Sequence, residues 1–344
     1  MKLRKKQSFK WLFFLCIFLK SVHILVKEVD KMKEERKKKQ IYQILAGSIR
    51  QLLEKESFEF EGIQEIRLRV GKPLLVLYKN TEQILSRADG TPCLVTKEEV
   101  RETMDYISHY SLYAYESELK QGFLTIEGGH RIGVSGKVIL EGGKIKNMQY
   151  ISSINIRTAH EVVGCADSIM KYIVKNKQIC HTLIISPPCC GKTTLIRDMI
   201  RQISDGNQYV KGCTVGVVDE RSELGGCYLG IAQNDIGIRT DILDCCPKAE
   251  GMILLIRSMA PRVLAIDEIG GEEEIRALEY AMHCGCKLIA SVHGSGLEEI
   301  RERPGIRELI GRNYFERYIV LGREEKPGVI KGIYDEQGMV LCGK

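Results

Sequence analysis

The residues best suited to chemistry stand in one short run, Cys190-Gly191-Lys192-Thr193-Thr194. A lysine and a threonine directly after a glycine suit a phosphate chain. Lys192 would place a point charge on the β- and γ-phosphates, and the Thr193 hydroxyl would ligate Mg²⁺. The whole loop, Ser186-Pro187-Pro188-Cys189-Cys190-Gly191-Lys192-Thr193-Thr194, approximates G-x-x-x-x-G-K-[ST], with Ser186 in place of the first glycine. Cys189 sits where such loops often carry a glycine, so an easily reached φ > 0 is lost there. The expected ligands are ATP and Mg²⁺.

Further along, Val263-Leu264-Ala265-Ile266 runs into Asp267-Glu268. An acid pair at a strand tip is weak alone, but about seventy residues after a phosphate loop it is informative. Asp267 is expected to hold Mg²⁺ through water and Glu268 to polarise the attacking water. A second acid-tipped strand, Val217-Val218-Asp219-Glu220-Arg221-Ser222-Glu223, could bring Asp219 or Glu223 near the metal or the water. A turn in which these acids are merely satisfied fits the spacing equally well. His293 closes Ser291-Val292-His293-Gly294; it could report γ-phosphate occupancy, although histidines at strand ends are commonly structural. Arg67, Arg69, Arg131, Arg157 and Arg239 are the arginines considered for the phosphates, because a guanidinium matches a transferring phosphoryl group bidentately. Taken singly, each fits a surface ion pair better.

These groups need elements to hold them. Leu183-Ile184-Ile185 is an apolar β-branched strand before the loop. Leu195, Ile196, Met199, Ile200 and Ile203 recur at helical spacing after it. Backbone N–H groups at that helix start would face an anion. Strands are expected at 214–218, 263–266 and 287–292, with helices at 247–259 and 272–284. Such alternation predicts an α/β domain with a mostly parallel, doubly wound sheet and its site at the strands' C-terminal edge. Closing strands follow at 318–321, 329–334 and 339–341.

The preceding region reads as a smaller α+β domain. An amphipathic helix is predicted over Ile41 to Glu56, then paired strands at 63–70 and 74–78. A second helix over 97–108 is opened by Thr96 as N-cap, and a hairpin follows over 122–135. Ile151 to Arg157 is taken as the strand leading into the second domain, and residues 162–174 as a helix. The domains are thus 1–40, a leader; 41–150; and 151–344.

Composition narrows the function. Residues 1–39 carry thirteen Lys/Arg against four Asp/Glu, so the net charge of +6 leaves −3 for the remainder. That argues against a general nucleic-acid-binding surface. Thirteen cysteines include no C-x-x-C pair, which gives zinc no usual ligand set and suits a reducing, cytoplasmic compartment. Trp11 to Leu19 is too short to span a bilayer. The leader is either a membrane-surface anchor or sequence upstream of a true start at Met32; we prefer the second reading.

Assembled, these stretches resemble the stage III sporulation protein AA family, over roughly residues 41–344. The carriers are Glu65–Pro73, Ser153–Arg157, Ser186–Thr194, Val218–Glu223, Gln233–Asp241, Arg257–Arg262, Asp267–Gly270 and Ser291–Gly294. That family is related to the hexameric ATPases of type II and type IV secretion. The resemblance therefore implies a RecA-like P-loop NTPase domain, and places Asp219 and Glu223 on an acidic box and His293 on a histidine box. The box's earlier histidine has no match, since Cys286 stands there. It also implies that Arg131 or Arg157 reaches the phosphates, and that the chain forms a homo-oligomer, a hexamer by analogy. The implied role is a mother-cell ATPase on the cytoplasmic face of the septal membrane, energising a secretion-like channel towards the forespore. Two other readings stand beside it: a nucleic-acid-dependent RecA-like ATPase, and a nucleotide-gated scaffold with little hydrolysis.

Overall fold

The computed structural model describes residues 32, 35–56, 58–87, 89–111, 115–303, 305–322 and 328–343. The leader, and with it the choice between anchor and upstream segment, lies outside the described residues. No helix among the described residues is long and apolar enough to cross a membrane. The chain divides into two compact units, Met1–Ala159 and His160–Lys344.

The first unit is a six-stranded antiparallel sheet covered by helices. Its elements are α1 (35–43), α2 (Gly47–Lys55), β1 (Ile63–Arg69), β2 (Leu75–Tyr78), β3 (Thr81–Ile84) and α3 (Lys97–Ile107). α4 (Glu116–Gln121), β4 (Phe123–Ile126), β5 (His130–Glu141) and β6 (Lys144–Arg157) complete it, in strand order β3-β2-β1-β6-β5-β4. Alternation does the work here. Ile66 and Leu68 of β1, Ile132 of β5, and Ile154 and Ile156 of β6 point to one core with Ile49, Leu53, Val100 and Met104 of the helices. Beyond Ser135 the β5–β6 ladder continues as a largely exposed arm.

Two expectations for this unit are corrected. The single helix over Ile41 to Glu56 is broken, because Ala46 is extended and α3 receives the freed N–H groups. Thr103 Oγ1 accepts from Ala46 at 3.0 Å and Glu102 from Gly47 at 3.2 Å. Ile151 to Arg157 does not lead into a second domain. It is the end of β6, hydrogen-bonded between β1 and β5, so the division falls at 159/160 rather than 150/151. The Thr96 N-cap forms a capping box with Glu99.

The second unit opens with α5 (Asp167–Met170) and a small hairpin, β7 (Val174–Lys175) with β8 (Gln178–Ile179). A helix over 162–174 was expected. Gly164 at φ +85°, and the left-handed Asn176 and Lys177 at the hairpin turn, show why the segment cannot stay helical. Then follow β9 (Thr182–Ser186), α6 (Lys192–Asp205), β10 (Val215–Asp219), β11 (Thr240–Asp244), α7 (Lys248–Met259), β12 (Val263–Ile266) and α8 (Glu272–His283). β13 (Lys287–His293), α9 (Leu297–Arg301), α10 (Ile306–Gly311), β14 (Arg317–Gly322), β15 (Val329–Asp335) and β16 (Val340–Gly343) close the unit.

Eight of the described strands form its main sheet, in the order β11-β10-β12-β13-β9-β14-β15-β16. The first six in that order are mutually parallel, and β15 and β16 are antiparallel additions. β9, β10 and β12 are buried along their whole length, as parallel strands covered on both faces must be. Ile184, Val217 and Ala265 face the helix side of α6, while Leu183, Val218 and Leu264 face α7 and α8. The chain leaves β9 towards β10, returns through β12 and β13, and finally crosses to β14 on the other side. That reversal leaves a crevice at the strands' C-terminal ends.

Candidate active site

Ser186, Asp219, Asp267 and His293 all lie at those C-terminal ends, so strand direction alone gathers them on one edge of the sheet. From Ser186 the loop turns through Pro187 and Pro188 to Cys189, an exposed residue at φ +58°. Cys189 therefore adopts the conformation that glycine would reach more easily, at a cost of roughly 1–2 kcal/mol. Cys190 is buried, and its thiol lies 3.5 Å from the Pro188 carbonyl oxygen. Gly191, at φ +79°, caps α6. The first N–H groups of α6 have no partner within the helix and face the loop. Thr194 lies in the first turn of α6, its carbonyl oxygen 3.6 Å from the Cys165 thiol.

Lys192 is only 8% exposed. A buried ammonium needs counter-charge, and Asp267 Oδ1 at 3.3 Å with Glu268 Oε2 at 3.9 Å provides it. Thr193 Oγ1 donates to Asp267 Oδ2 at 2.8 Å. A hydroxyl beside a carboxylate is the hard-oxygen donor set that Mg²⁺ takes, so these residues fit that ion. Glu268 sits at φ +51°, and its carboxylate meets His293 Nε2 at 3.3 Å and Arg221 at 3.6 Å. His293 Nδ1 lies 3.3 Å from the Ser186 carbonyl oxygen, which joins the strand after the acids to the strand before the loop.

Sequence reasoning missed Ser291. Its hydroxyl donates to Asp267 Oδ1 at 2.7 Å and accepts from the Glu268 N–H at 2.8 Å, so one side chain sets both acids. Period-two alternation puts residues 291 and 293 on one face of β13, and that signal could have found it. Arg221 was also missed as a candidate, although it lies inside the Val218–Glu223 stretch.

Asp219 is placed differently. Only 2% exposed, it accepts from the backbone N–H groups of Glu223, Leu224 and Gly225 at 2.8–2.9 Å. Burial outweighs these donors and pushes its carboxyl up to about 6. Of the two readings that the spacing left open, these bonds are those of the satisfied turn, with Asp219 organising its own loop. Its partner in this is Arg197, which bonds the Glu223 and Leu224 carbonyl oxygens at 2.7 and 2.8 Å. Glu223 is held through its main chain by both.

Arg131 and Arg157 belong to the first unit, where they are directly opposite on β5 and β6. Arg131 stacks 3.8 Å from the Phe123 ring centre, and Arg157 lies 3.3 Å from Glu65. Glu65 also pairs with Arg67. Arg239 is committed elsewhere, to the Ser204 carbonyl oxygen at 2.8 Å near the end of α6.

Comparison with known proteins follows the same lines. The family model described as sporulation stage III, protein AA matches residues 35–341. Stage III sporulation protein AA of Bacillus subtilis (strain 168) is 42% identical over 279 residues, spanning 81% of this chain and 89% of that protein. Among solved structures, the Legionella pneumophila ATPase DotB aligns with a TM-score of 0.52 at 17% identity, over 79% of this chain and 75% of its own. The pilus retraction motor PilT, with bound ADP, aligns at 0.54 and 14% identity, over 86% and 82%. Likeness at that identity concerns the fold.

Proposed function

The chain belongs to the stage III sporulation protein AA family, and on that premise we propose that it is an ATP-hydrolysing motor. It would serve a secretion-like channel between mother cell and forespore, coupling hydrolysis to channel assembly or transport. The observation that carries this reading is the convergence of Lys192, Thr193, Asp267, Glu268 and His293 at the C-terminal edge of one parallel sheet. The ATPase and motor neighbours lend it support through their shared fold.

In this mechanism the Ser186–Thr194 loop and Lys192 hold the phosphates. Thr193 and Asp267 would hold Mg²⁺, which would supply positive charge to neutralise the phosphates. Glu268 takes a proton as water attacks the γ-phosphorus and the bond to ADP breaks, giving ADP and phosphate. His293 and Arg221 keep the Glu268 carboxylate in place. Arg131 and Arg157 are the proposed guanidinium donors to the phosphates. The working form is a homo-oligomer, a ring of six by analogy, attached peripherally to the mother-cell side of the septal membrane at a channel complex. Without its leader the chain has net charge −3, which favours this reading over a nucleic-acid-dependent ATPase.

Steady-state ATP turnover across a protein concentration series tests the proposal. Turnover should rise more than linearly with concentration and fall by about 10²-fold or more in Glu268→Gln and Lys192→Ala. Turnover no greater than in the two variants, with ATP still bound, would sink the motor and leave a nucleotide-gated scaffold.

A further inference from the structure

At the opposite, N-terminal end of the same parallel strands lies a second concavity. Its volume is about 810 Å³. It is bounded by the β7–β8 turn, residues 207–213, the start of β12 and the start of β13. Four cations line it: Lys177, Lys211, Arg262 and Lys287. No described aspartate or glutamate does. Lys287 has a counter-ion in Glu316 at 2.7 Å, but among the described residues no carboxylate pairs with Lys177, Lys211 or Arg262. This is unexpected in a unit that holds 23 Lys/Arg against 26 Asp/Glu. Random placement on an acid-rich surface would intersperse the signs, and elsewhere in this unit most basic side chains do meet an acid.

We propose that this cavity is a docking site for an acidic peptide segment of a partner protein. Its volume falls in the range of sites that enclose a ligand of many atoms, well beyond a single phosphate. The side-chain amide of the exposed Gln208 offers a donor and an acceptor beside the cations, which suits a peptide backbone carrying carboxylates. Asn207 instead holds the loop through Gln202, Tyr209 and Val210. Among the described residues Tyr209 is the one aromatic side chain lining it, so they offer no succession of stacking surfaces for bases. The chain's own leader, at +9, is repelled rather than attracted. Because the cavity lies at the strand ends opposite Lys192, a docked partner leaves the candidate active site open.

Fluorescence anisotropy of a labelled peptide of about ten glutamates, titrated with the full chain, tests this. Binding should weaken steeply with salt and fall roughly tenfold or more in Lys211→Glu/Arg262→Glu. The reversal pair Arg276→Glu/Lys331→Glu, outside the cavity, should leave it unchanged. Lys177→Glu, on an exposed hairpin turn, gives a second test with little risk to folding. Equal losses in the two reversal pairs, or no binding, would overturn the proposal. So would competition by single-stranded RNA or by anionic vesicles stronger than that of unlabelled peptide. ATP turnover measured on the same variants is expected to be unchanged, so failure here is separable from failure of the motor reading.

Discussion

β10 and β12 end alike in sequence, with Val217-Val218-Asp219-Glu220 beside Ala265-Ile266-Asp267-Glu268, yet their aspartates serve different ends. Asp219 binds the backbone of its own turn. Asp267 binds the side chains of Thr193, Ser291 and Lys192. The cause lies just after each tip. Ser222, at φ +52°, bends the chain so that three N–H groups return to Asp219. Glu268, at φ +51°, gives its N–H to Ser291, and the chain departs for α8 with the Asp267 carboxylate still facing α6. An acid at a strand tip is thus defined by the donors that reach it, and those come from the following residues and from other elements.

The sharpest test of this contrast is a crossover of phenotypes. Asp267→Asn should lower ATP turnover by about 10²–10³-fold with little loss of stability. Asp219→Ala should cost about 3–5 kcal/mol in chemical denaturation, because three buried N–H groups lose their acceptor. If Asp219→Ala instead kept full stability and lost turnover alone, the distinction would collapse. A smaller effect is expected from Ser291→Ala, roughly a tenfold loss of kcat with KM unchanged, since only the aim of the two acids changes. A rise in KM of the same size would assign Ser291 to binding.

The smallest effect is in pH dependence. Burial lifts Asp219 to about 6, above its ordinary value near 4. Between about pH 4 and 6 the folded chain therefore holds a proton that the unfolded chain has released, and stability declines as pH rises through that window. Asp219→Asn lacks this titration and should show a flatter profile. Matching slopes for the two proteins would remove the buried-carboxylate account.

Much of the second unit was legible because parallel strands buried on both faces read as unbroken apolar runs, as in Val263–Ile266. β11 was not, since Thr240-Asp241-Ile242-Leu243-Asp244 lies at a sheet edge and is only half-buried. In the first unit the break at Ala46 was hidden, because the apolar stripe continues through it and the receiving groups, Glu102 and Thr103, come from a distant helix. The loop and the Asp267-Glu268 tip could be read from residue order. Period-two alternation puts Ser291 on the face of His293, but its bonds to Asp267 and Glu268, like the contact of Arg221 with Glu268, depend on distances across strands that order alone does not contain.

The place of β9 in its sheet has a consequence for how the molecule is made. This strand carries the phosphate-type loop, yet its hydrogen-bonded neighbours are β13 and β14, which lie more than a hundred residues later in the chain. While the polypeptide is being synthesised, residues 182–186 leave the ribosome with no neighbour to pair with, as an apolar edge on both sides. The loop reaches its final geometry only when nearly the whole second unit has been translated. Capacity to bind a nucleotide should therefore arise late and abruptly in synthesis, and chains stopped before residue 317 should remain without it.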